Sequence, residues 1–360
     1  MKSIESRLQD ILEKQLKAKS VFNAVLAVQS GKGDIDWAGA TGNADRNKGI
    51  KAQVDTPYFT ASVTKMYTCA LIINFHEKNL LSLGDPISKH LPFSLIDGIH
   101  TFKGKDYTDE LKIIHLLSHT SGLADYFLQK QKSGGNILDK IIKNGDYGWN
   151  IDTVMDIVKK ELAPKFKPGE SGKAFYSDTN YQLLGTIIES VTGKTLTEAY
   201  DEVIFKPLKL KDTYLFNLSS LESKPQPAKV YYENTALDIP KAMTSFGADG
   251  GIVSTARESL VFLKAFLSGT FFSREFLVKM KHWNKIFFPF EYGYGLMRFK
   301  LPRIMSPFKP APELIGHTGS TASFSFYCPD KDLYLAGTLN QIKEQSRPFR
   351  LMIDVINAIR

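Results

Sequence analysis

The residue pair with the clearest chemical potential is Ser62 and Lys65, three positions apart in YFTASVTKMYTCALIINF (58–75). Lys65 is the one charged residue between Ala61 and Phe75, a run that predicts a largely buried helix. Side chains at positions i and i+3 of a helix are neighbours, so the Lys65 amine can reach the Ser62 hydroxyl. Burial disfavours the charged amine and lowers its pKa, which would let Lys65 activate a serine without a histidine.

Ser62 is expected at the N-terminal end of this helix, where unpaired backbone N–H groups and the helix dipole stabilise an alkoxide or an oxyanion. The structural alternative is a capping serine followed by a lysine whose stem packs on apolar surface. The same Ser-x-x-Lys spacing recurs at Ser306 and Lys309, in a proline-containing stretch that cannot form a helix. Spacing alone therefore leaves both interpretations open.

Two further clusters carry polar residues of catalytic type, one before a predicted helix (FYSDTNYQLLG) and one at the end of a predicted strand (IGHTGSTASF). Their residues are Tyr176, Ser177 and Asp178, and His317, Thr318, Gly319 and Ser320. Together with Ser62 and Lys65, and in this order, they resemble the active-site motifs of the serine β-lactamase and DD-peptidase family. That family includes class C β-lactamases, low-molecular-mass penicillin-binding proteins and class VIII esterases. Four other segments also resemble it: LLSHTSGL (116–123), FKPGE (166–170), GADGGIVSTARE (247–258) and YGYGL (292–296).

The resemblance implies acyl transfer through a covalent intermediate. Ser62 would attack an acyl carbonyl, while Lys65 and Tyr176 would move the proton to the leaving group and later activate water. The backbone N–H groups of Ser62 and Ser320 would form the oxyanion hole. Gly319, without a side chain, would let a substrate backbone approach its strand. The residues implied to bind or orient substrate are Asp178, His317, Thr318, Gly319 and Ser320.

Two positions depart from the β-lactamase form. Asp178 stands where the family usually has asparagine, and an ionised carboxylate can only accept hydrogen bonds. Near Lys65 it would favour the charged ammonium and shift more of the base role to Tyr176. A second interpretation of Asp178, compatible with the first, is a helix N-cap. His317 replaces the usual lysine, so attraction for a substrate carboxylate would be weaker and pH-dependent; both changes point away from an efficient β-lactamase.

Other motifs give no sign of a metal or a cofactor. His115 and His119 lie one helical turn apart, yet Leu116 occupies the place of a zinc peptidase's glutamate and no third ligand is evident. Helix-packing histidines are therefore the default interpretation. The segment TGKT (192–195) lacks the upstream glycine of a phosphate loop, and Gly193 is instead predicted to end a helix. We expect neither a metal nor a cofactor.

The predicted elements place strands at both ends of the chain and helices between them. Two strands joined by the turn GKG precede the Ser62 helix, and ELIGHTGS, ASFSFYCP and LYLAGTL predict an antiparallel meander. We predict an α/β (α+β) fold of the β-lactamase/DD-peptidase type, an antiparallel sheet flanked by helices. Residues 1–80 and 230–360 would form the α/β domain, residues 81–229 a mainly helical insertion, and the active site would lie between them.

Composition excludes several other classes. The 360 residues are 43% hydrophobic and 23% charged, which is typical of a globular protein, and the two cysteines, Cys69 and Cys328, are expected to be buried thiols. The net charge of +8 comes from scattered lysines without a nucleic-acid-binding module, so no nucleic-acid partner is expected. No apolar run predicts a membrane span or a secretory signal. We expect a cytoplasmic monomer, or an extracytoplasmic protein if the natural chain is longer at its N terminus.

The sequence therefore predicts a serine hydrolase that cleaves an ester or a small amide or peptide through a Ser62 acyl-enzyme. A D-alanyl-D-alanine carboxypeptidase, a D-aminopeptidase or a weak β-lactamase is the first alternative, and a non-catalytic sensor that kept the pocket is the second. The aromatic segment FFPFEYGYG (287–295) would line the pocket mouth or pack in the interior.

Overall fold

The structure is a computed structural model that describes residues 2–302, 304 and 311–359. The second Ser-x-x-Lys sequence, Ser306 to Lys309, lies outside the described residues. The strands within them are β1 (Asn23–Ser30), β2 (Asp36–Asp45), β3 (Ile50–Lys51), β4 (Tyr58–Phe59), β5 (Thr101–Phe102), β6 (Lys105–Asp106), β7 (Tyr214–Leu215), β8 (Val230–Tyr232), β9 (Thr235–Leu237), β10 (Ile252–Ser254), β11 (Asn284–Phe287), β12 (Phe290–Tyr292), β13 (Met297–Phe299), β14 (Leu314–Thr318), β15 (Ser323–Cys328) and β16 (Leu333–Thr338).

The α-helices of the described residues lie mainly between the two groups of long strands. They are α1 (Ile4–Glu13), α2 (Thr64–Glu77), α3 (Phe93–Ile96), α4 (Ile113–Leu117), α5 (Ile137–Asn144), α6 (Ile151–Glu161), α7 (Asp178–Thr192), α8 (Leu196–Tyr200), α9 (Ser220–Ser223), α10 (Pro240–Ser245), α11 (Ala256–Ser268), α12 (Arg274–Lys279) and α13 (Arg347–Ala358).

Strands from both chain ends form one nine-stranded antiparallel sheet in the order β11-β12-β13-β14-β15-β16-β1-β2-β3. The closing contact pairs β1 with β16, so that Val25 lies opposite Thr338. The predicted meander is present as β14, β15 and β16. An antiparallel sheet flanked by helices, as predicted from the sequence, is therefore confirmed.

Helices cover both faces of the sheet, and successive residues of β1 point to opposite faces. Val25 and Ala27 pack with α2, α11 and the helices of the middle segment, whereas Leu26 and Val28 pack with α1 and α13. A strand covered on both sides is apolar at almost every position, which explains the sequence NAVLAVQS.

Helix α2 runs through the interior of the larger hydrophobic cluster, and eleven of its fourteen residues are buried. It begins at Thr64, and Ser62 lies in the preceding 3₁₀ turn, Ala61–Val63. The prediction of one helix starting at Ala61 is thus wrong at its first turn. Ala61 has a left-handed φ of 47°, which an α-helix does not accommodate.

Two local predictions are confirmed. Helix α7 ends at Thr192 with Gly193 in the left-handed region at φ 65°, the conformation that a C-terminal glycine supplies most easily. Cys69 and Cys328 are buried free thiols. In the described part of the chain, no helix is both long and apolar enough to cross a membrane.

Candidate active site

Ser62 follows Thr60, which is held by hydrogen bonds to two different strands. Thr60 Oγ1 donates to the Ile252 carbonyl on β10 (2.9 Å), and Ser323 Oγ on β15 donates to the Thr60 carbonyl (2.7 Å). The left-handed φ of Ala61 then places Ser62 at the surface of a cleft. Backbone strain of this kind next to a reactive serine is tolerated because the surrounding contacts over-determine it.

Lys65 is fully buried, and its ammonium contacts three groups. Nζ donates to Ser62 Oγ at 3.1 Å and to the Asp249 carbonyl at 2.7 Å, and it lies 2.6 Å from Asp178 Oδ1 in an ion pair. Burial lowers the pKa of Lys65, but the charges of Asp178 and Asp249 outweigh burial, so that the pKa is raised. Of the two effects predicted from sequence, stabilisation of the ammonium by Asp178 prevails over desolvation.

Asp178 is the first residue of α7, and Ser177 occupies the N-cap position. The N-cap interpretation of Asp178 is therefore wrong. The residue is 8% exposed and lines the cleft beside Ser62. Its Oδ1 lies 2.6 Å from Lys65 Nζ, and the residue lies in the wall of the cleft.

Two further buried carboxyl groups surround this ion pair. Asp125 accepts hydrogen bonds from the backbone N–H groups of Asp178 (2.9 Å) and Leu128 (2.8 Å), and burial and the Asp178 charge raise its pKa to about 7. Asp249 accepts from Tyr126 Oη at 2.9 Å, and burial followed by the Asp178 charge raises its pKa well above the usual range. Asp178 and Asp249 therefore act on Lys65, whereas Asp125 interacts with Asp178.

Tyr176 is half-buried, with its ring centroid 5.2 Å from Lys65 Nζ. Burial and then the Asp178 charge raise the pKa of its phenol well above the usual range, although Ser62 is near enough to oppose that shift. The resting phenol is therefore protonated and suited to donate a proton. The prediction that Tyr176 takes over the base role has no support in this electrostatic setting.

His317 lies behind the cleft surface and is fully buried. Its Nδ1–H donates to the Thr318 carbonyl (2.7 Å), so Nε2 accepts from the Tyr292 hydroxyl (3.1 Å). Burial, and secondarily the Lys65 charge, lower the pKa of His317 to about 3. The ring is neutral at ordinary pH, so the predicted pH-dependent attraction for a substrate carboxylate is wrong.

Gly319 allows β14 to approach the Ser62 turn. A Cβ atom at this position would lie 2.2 Å from Ser323 Oγ, 2.6 Å from the Thr60 carbonyl oxygen and 2.9 Å from Ala61 Cβ. The missing side chain therefore makes room for the turn that carries the serine. Room for a substrate backbone at this strand stays a prediction beside this intramolecular contact.

Ser62, Thr318, Gly319 and Ser320 all line the same cleft, and Ser320 is exposed in it. Within the described residues, the backbone N–H groups of Ser62 and Ser320 donate to no protein acceptor. The Ser320 carbonyl accepts from Gln345 Nε2 at 2.6 Å, which restrains this loop. Both amides remain free to bind an oxyanion.

The cleft has a volume of about 450 Å³ and mostly apolar walls. The helical segment contributes Leu128 and Ile141, and the segment 287–295 contributes Phe287, which is 52% exposed. Tyr292 of the same segment is fully buried. The two interpretations of FFPFEYGYG thus apply to different residues of it, one at the cleft and one in the interior.

Several residues that pack around the serine site lie outside the three clusters that predicted it from the sequence. Asp249, His119 and Tyr292 belong to segments that resemble the family, which was the available signal, whereas Asp125 had none. His115 does not accompany His119, because it packs against Gly169 while His119 packs against Tyr176. Among the described residues, no three His, Cys, Asp or Glu side chains form a group that could hold a metal ion.

The chain is similar to known proteins over almost its whole length. Residues 8–354 match the Beta-lactamase family. The teichoic acid D-alanine hydrolase of Staphylococcus aureus is 27% identical over 288 residues, which are 79% of this chain and 64% of that protein's length. The structure of a D-stereospecific amidohydrolase from Streptomyces sp. has a TM-score of 0.76 and 26% identity, with 96% of this chain and 97% of the other covered.

The D-amino acid amidase of Ochrobactrum anthropi SV3, complexed with L-phenylalanine amide, has a TM-score of 0.78 and 22% identity and shares the fold over 99% of this chain and 98% of its own. The family match covers almost the entire chain, including every motif residue described above. The chain therefore belongs to the Beta-lactamase family.

Proposed function

We propose that this protein is a serine hydrolase that transfers an acyl group from an ester or a small amide to water through a Ser62 acyl-enzyme. The observation that carries the proposal is the 3.1 Å contact between Ser62 Oγ and the Nζ atom of the buried Lys65, at the edge of an apolar cleft. A buried amine beside a serine is the arrangement that activates the hydroxyl in the absence of a histidine base.

Acylation requires Lys65 in its neutral form. Ser62 Oγ then bonds to the acyl carbon while its proton passes to Lys65 Nζ, and the carbonyl oxygen gains the negative charge. The backbone N–H groups of Ser62 and Ser320 would stabilise that charge. Tyr176 gives its proton to the leaving group, the bond to the leaving group breaks, and the Lys65 ammonium restores the phenol.

Deacylation reverses these roles. Water attacks the acyl carbon and gives its proton to neutral Lys65, and the same proton then returns to Ser62 Oγ as the ester bond breaks. All of the proton transfers take place among Ser62, Lys65 and Tyr176. No metal or cofactor enters the sequence of steps.

The substrate class follows from the acidic surroundings of Ser62. Asp178 lines the cleft, and its ion pair with Lys65 places a carboxylate next to Ser62. A substrate ammonium group next to the acyl carbonyl would pair with Asp178 and, by like-charge repulsion, favour the neutral form of Lys65. We therefore propose an aminoacyl ester or amide as substrate, with a D-aminoacyl group favoured by similarity to the teichoic acid D-alanine hydrolase and the D-stereospecific amidohydrolase.

A D-alanyl-D-alanine carboxypeptidase or a β-lactamase is the less favoured alternative. Its substrates carry a carboxylate, and the buried, neutral His317 offers that group no charge. A non-catalytic sensor is less favoured still, because Ser62 and Tyr176 line one cleft and the buried Lys65 contacts Ser62 behind it.

The test combines intact-mass spectrometry with a steady-state assay. The protein and its Ser62→Ala variant are exposed separately to a p-nitrophenyl ester, to D-alanine p-nitroanilide and to benzylpenicillin. We expect turnover of the ester and the anilide, no lasting penicilloyl adduct, and no turnover by the variant. Wild-type rates from Ser62→Ala would refute the acyl-enzyme, and a persistent adduct at Ser62 would favour the peptidase alternative.

A further inference from the structure

His119 is bound to the polypeptide on both sides of Tyr176. The N–H group of Phe175 donates to the His119 carbonyl at 2.9 Å, and the N–H group of Ser177 donates to His119 Nδ1 at 3.2 Å. His119 thus holds both neighbours of the tyrosine: its backbone carbonyl holds Phe175, and its side chain holds Ser177. The backbone of His119 is itself left-handed at φ 57°, an uncommon conformation for a residue other than glycine.

The imidazole has one defined tautomer. A backbone N–H can only donate, so Nδ1 of His119 must accept, and the proton of the neutral ring resides on Nε2. Asn180 Nδ2 lies 2.9 Å from the same Nδ1. The orientation of that amide is set by Ser121, whose hydroxyl donates to Asn180 Oδ1 at 2.7 Å and accepts from the N–H of Leu123 at 3.1 Å.

The charged form of His119 is strongly disfavoured. The ring is fully buried, and burial, followed by the charge of Lys65, lowers its pKa well below the usual value. Its Nε2 atom has no hydrogen-bond partner among the described residues. The protein therefore tolerates an unpaired Nε2–H in order to keep the acceptor at Nδ1, which an apolar ring could not supply.

The same ring packs directly on the tyrosine. The ring centroids of His119 and Tyr176 are 4.4 Å apart. The ring of Tyr292 also packs on His119, edge to face, with a centroid distance of 4.4 Å. A phenol that must donate a proton next to Ser62 has to be placed within a fraction of an ångström, since small displacements of a catalytic group lower rates steeply. The tyrosine side chain and its backbone are both fixed by His119.

We propose that His119 is a positioning residue for Tyr176: its neutral imidazole holds the backbone of the tyrosine segment and the face of the phenol, so that the phenol is aligned with Ser62. This inference rests on the serine-hydrolase function proposed above. In this proposal His119 positions Tyr176 and takes no part in proton transfer.

The test is a double-mutant cycle between His119→Asn and Tyr176→Phe, with kcat and KM measured on a p-nitrophenyl ester. Asparagine keeps an acceptor near Nδ1 but removes the ring. We expect His119→Asn to lower kcat by about 10- to 100-fold while KM changes by less than about twofold. In the Tyr176→Phe protein the same substitution should change kcat by less than about twofold, because the hydroxyl that it aligns is absent.

His115→Asn is the matched control, four residues earlier, because the His115 Nδ1 atom caps α4 by accepting from the Lys112 N–H at 3.2 Å and asparagine can also accept there. His115→Asn should retain wild-type kcat.

Equal losses of kcat from His119→Asn in the wild-type and Tyr176→Phe proteins would show a general structural role and overturn the proposal. If the asparagine variant does not fold, His119→Gln enters the same cycle with the same criteria. Ser62→Ala, measured in parallel, separates this outcome from failure of the serine mechanism.

Discussion

Lys65 Nζ lies 2.6 Å from Asp178 Oδ1, and neither side chain has more than slight contact with solvent. In the family form of the motif, the position of Asp178 is usually occupied by a neutral asparagine, which would leave burial as the main influence on the lysine. Here the carboxylate reverses that influence, and the pKa of Lys65 is raised. The ion pair therefore favours the ammonium form of Lys65 as long as no other cation, such as a substrate ammonium group, pairs with Asp178.

The first prediction concerns the pH dependence of hydrolysis. Asp178→Asn removes the largest charge that opposes desolvation of Lys65, so the pKa of the lysine should fall. In the proposed mechanism Lys65 must be neutral to act as a base, so kcat should rise with pH, and this rise should move to lower pH in the variant. The measurement is kcat from pH 5 to 10 on an ester without an amine. A rise at unchanged or higher pH would contradict the assigned role of the carboxylate.

The second prediction concerns recognition of an ammonium group. With matched D-alanine and propionic acid p-nitroanilides, the wild-type protein should prefer the amine-bearing substrate by about 10-fold or more in kcat/KM, as expected for a charge-assisted contact of about 1.5–3 kcal/mol. Asp178→Asn should reduce that preference to near unity. Equal use of both substrates by the wild-type protein would leave the acyl-enzyme intact and exclude this subsite.

The third prediction links Asp125 to stability. Its carboxyl has a pKa of about 7 in the folded protein, above its ordinary value of 3.8, so the folded state binds this proton more tightly. The stabilisation is fully present below about pH 4 and is lost as pH rises to about 7. Asp125→Asn lacks this titration, so any stability advantage of the wild-type protein should shrink from pH 5 to 8. Thermal unfolding of both proteins across this range measures it, and a gap that widens with pH would refute the assignment.

The fourth prediction concerns the contact between β14 and the serine turn. Gly319→Ala would place a Cβ atom 2.6 Å from the Thr60 carbonyl oxygen, so that the turn must move. Overpacking of this kind costs about 1–3 kcal/mol, and displacement of Ser62 should lower kcat together with the free energy of unfolding. The control is Gly84→Ala, where the nearest atom, Ser82 Oγ, lies at 3.8 Å. Unchanged kcat in Gly319→Ala would show that the turn does not depend on this contact.

The fifth prediction concerns the apolar cleft. Each methylene added to the acyl chain of a p-nitrophenyl ester and buried in the cleft contributes up to about 0.8 kcal/mol, which corresponds to a gain of up to about fourfold in kcat/KM. Phe287→Ala should reduce this gain. The matched control is Leu221→Ala, because Leu221 is similarly exposed (41% against 52%) but lines an adjoining cavity of about 250 Å³ and not the cleft itself. If the increase in kcat/KM per methylene were the same in Phe287→Ala, the acyl chain of the ester would not bind against Phe287.

Local spacing was sufficient for the Ser62–Lys65 pair, since residues at i and i+3 meet in either type of helical turn. Alternating apolar residues were sufficient for the meander, and the order of the motifs was sufficient for the fold and the family, which the sheet and the family match confirm. The roles of the site residues and the division at residues 80 and 230 stay predictions, as do the monomeric state and the cytoplasmic location.

Tertiary structure decided the electrostatics. Asp178 and Asp249 are far from Lys65 in sequence, and only the packing of α7 and its neighbours against α2 brings them to that lysine. Asp125 is likewise brought to Asp178. Whether Lys65 is held as an ammonium depends on the balance between desolvation and those charges. Both terms depend on distances between distant segments and on exclusion of water, which exist only after the chain has folded.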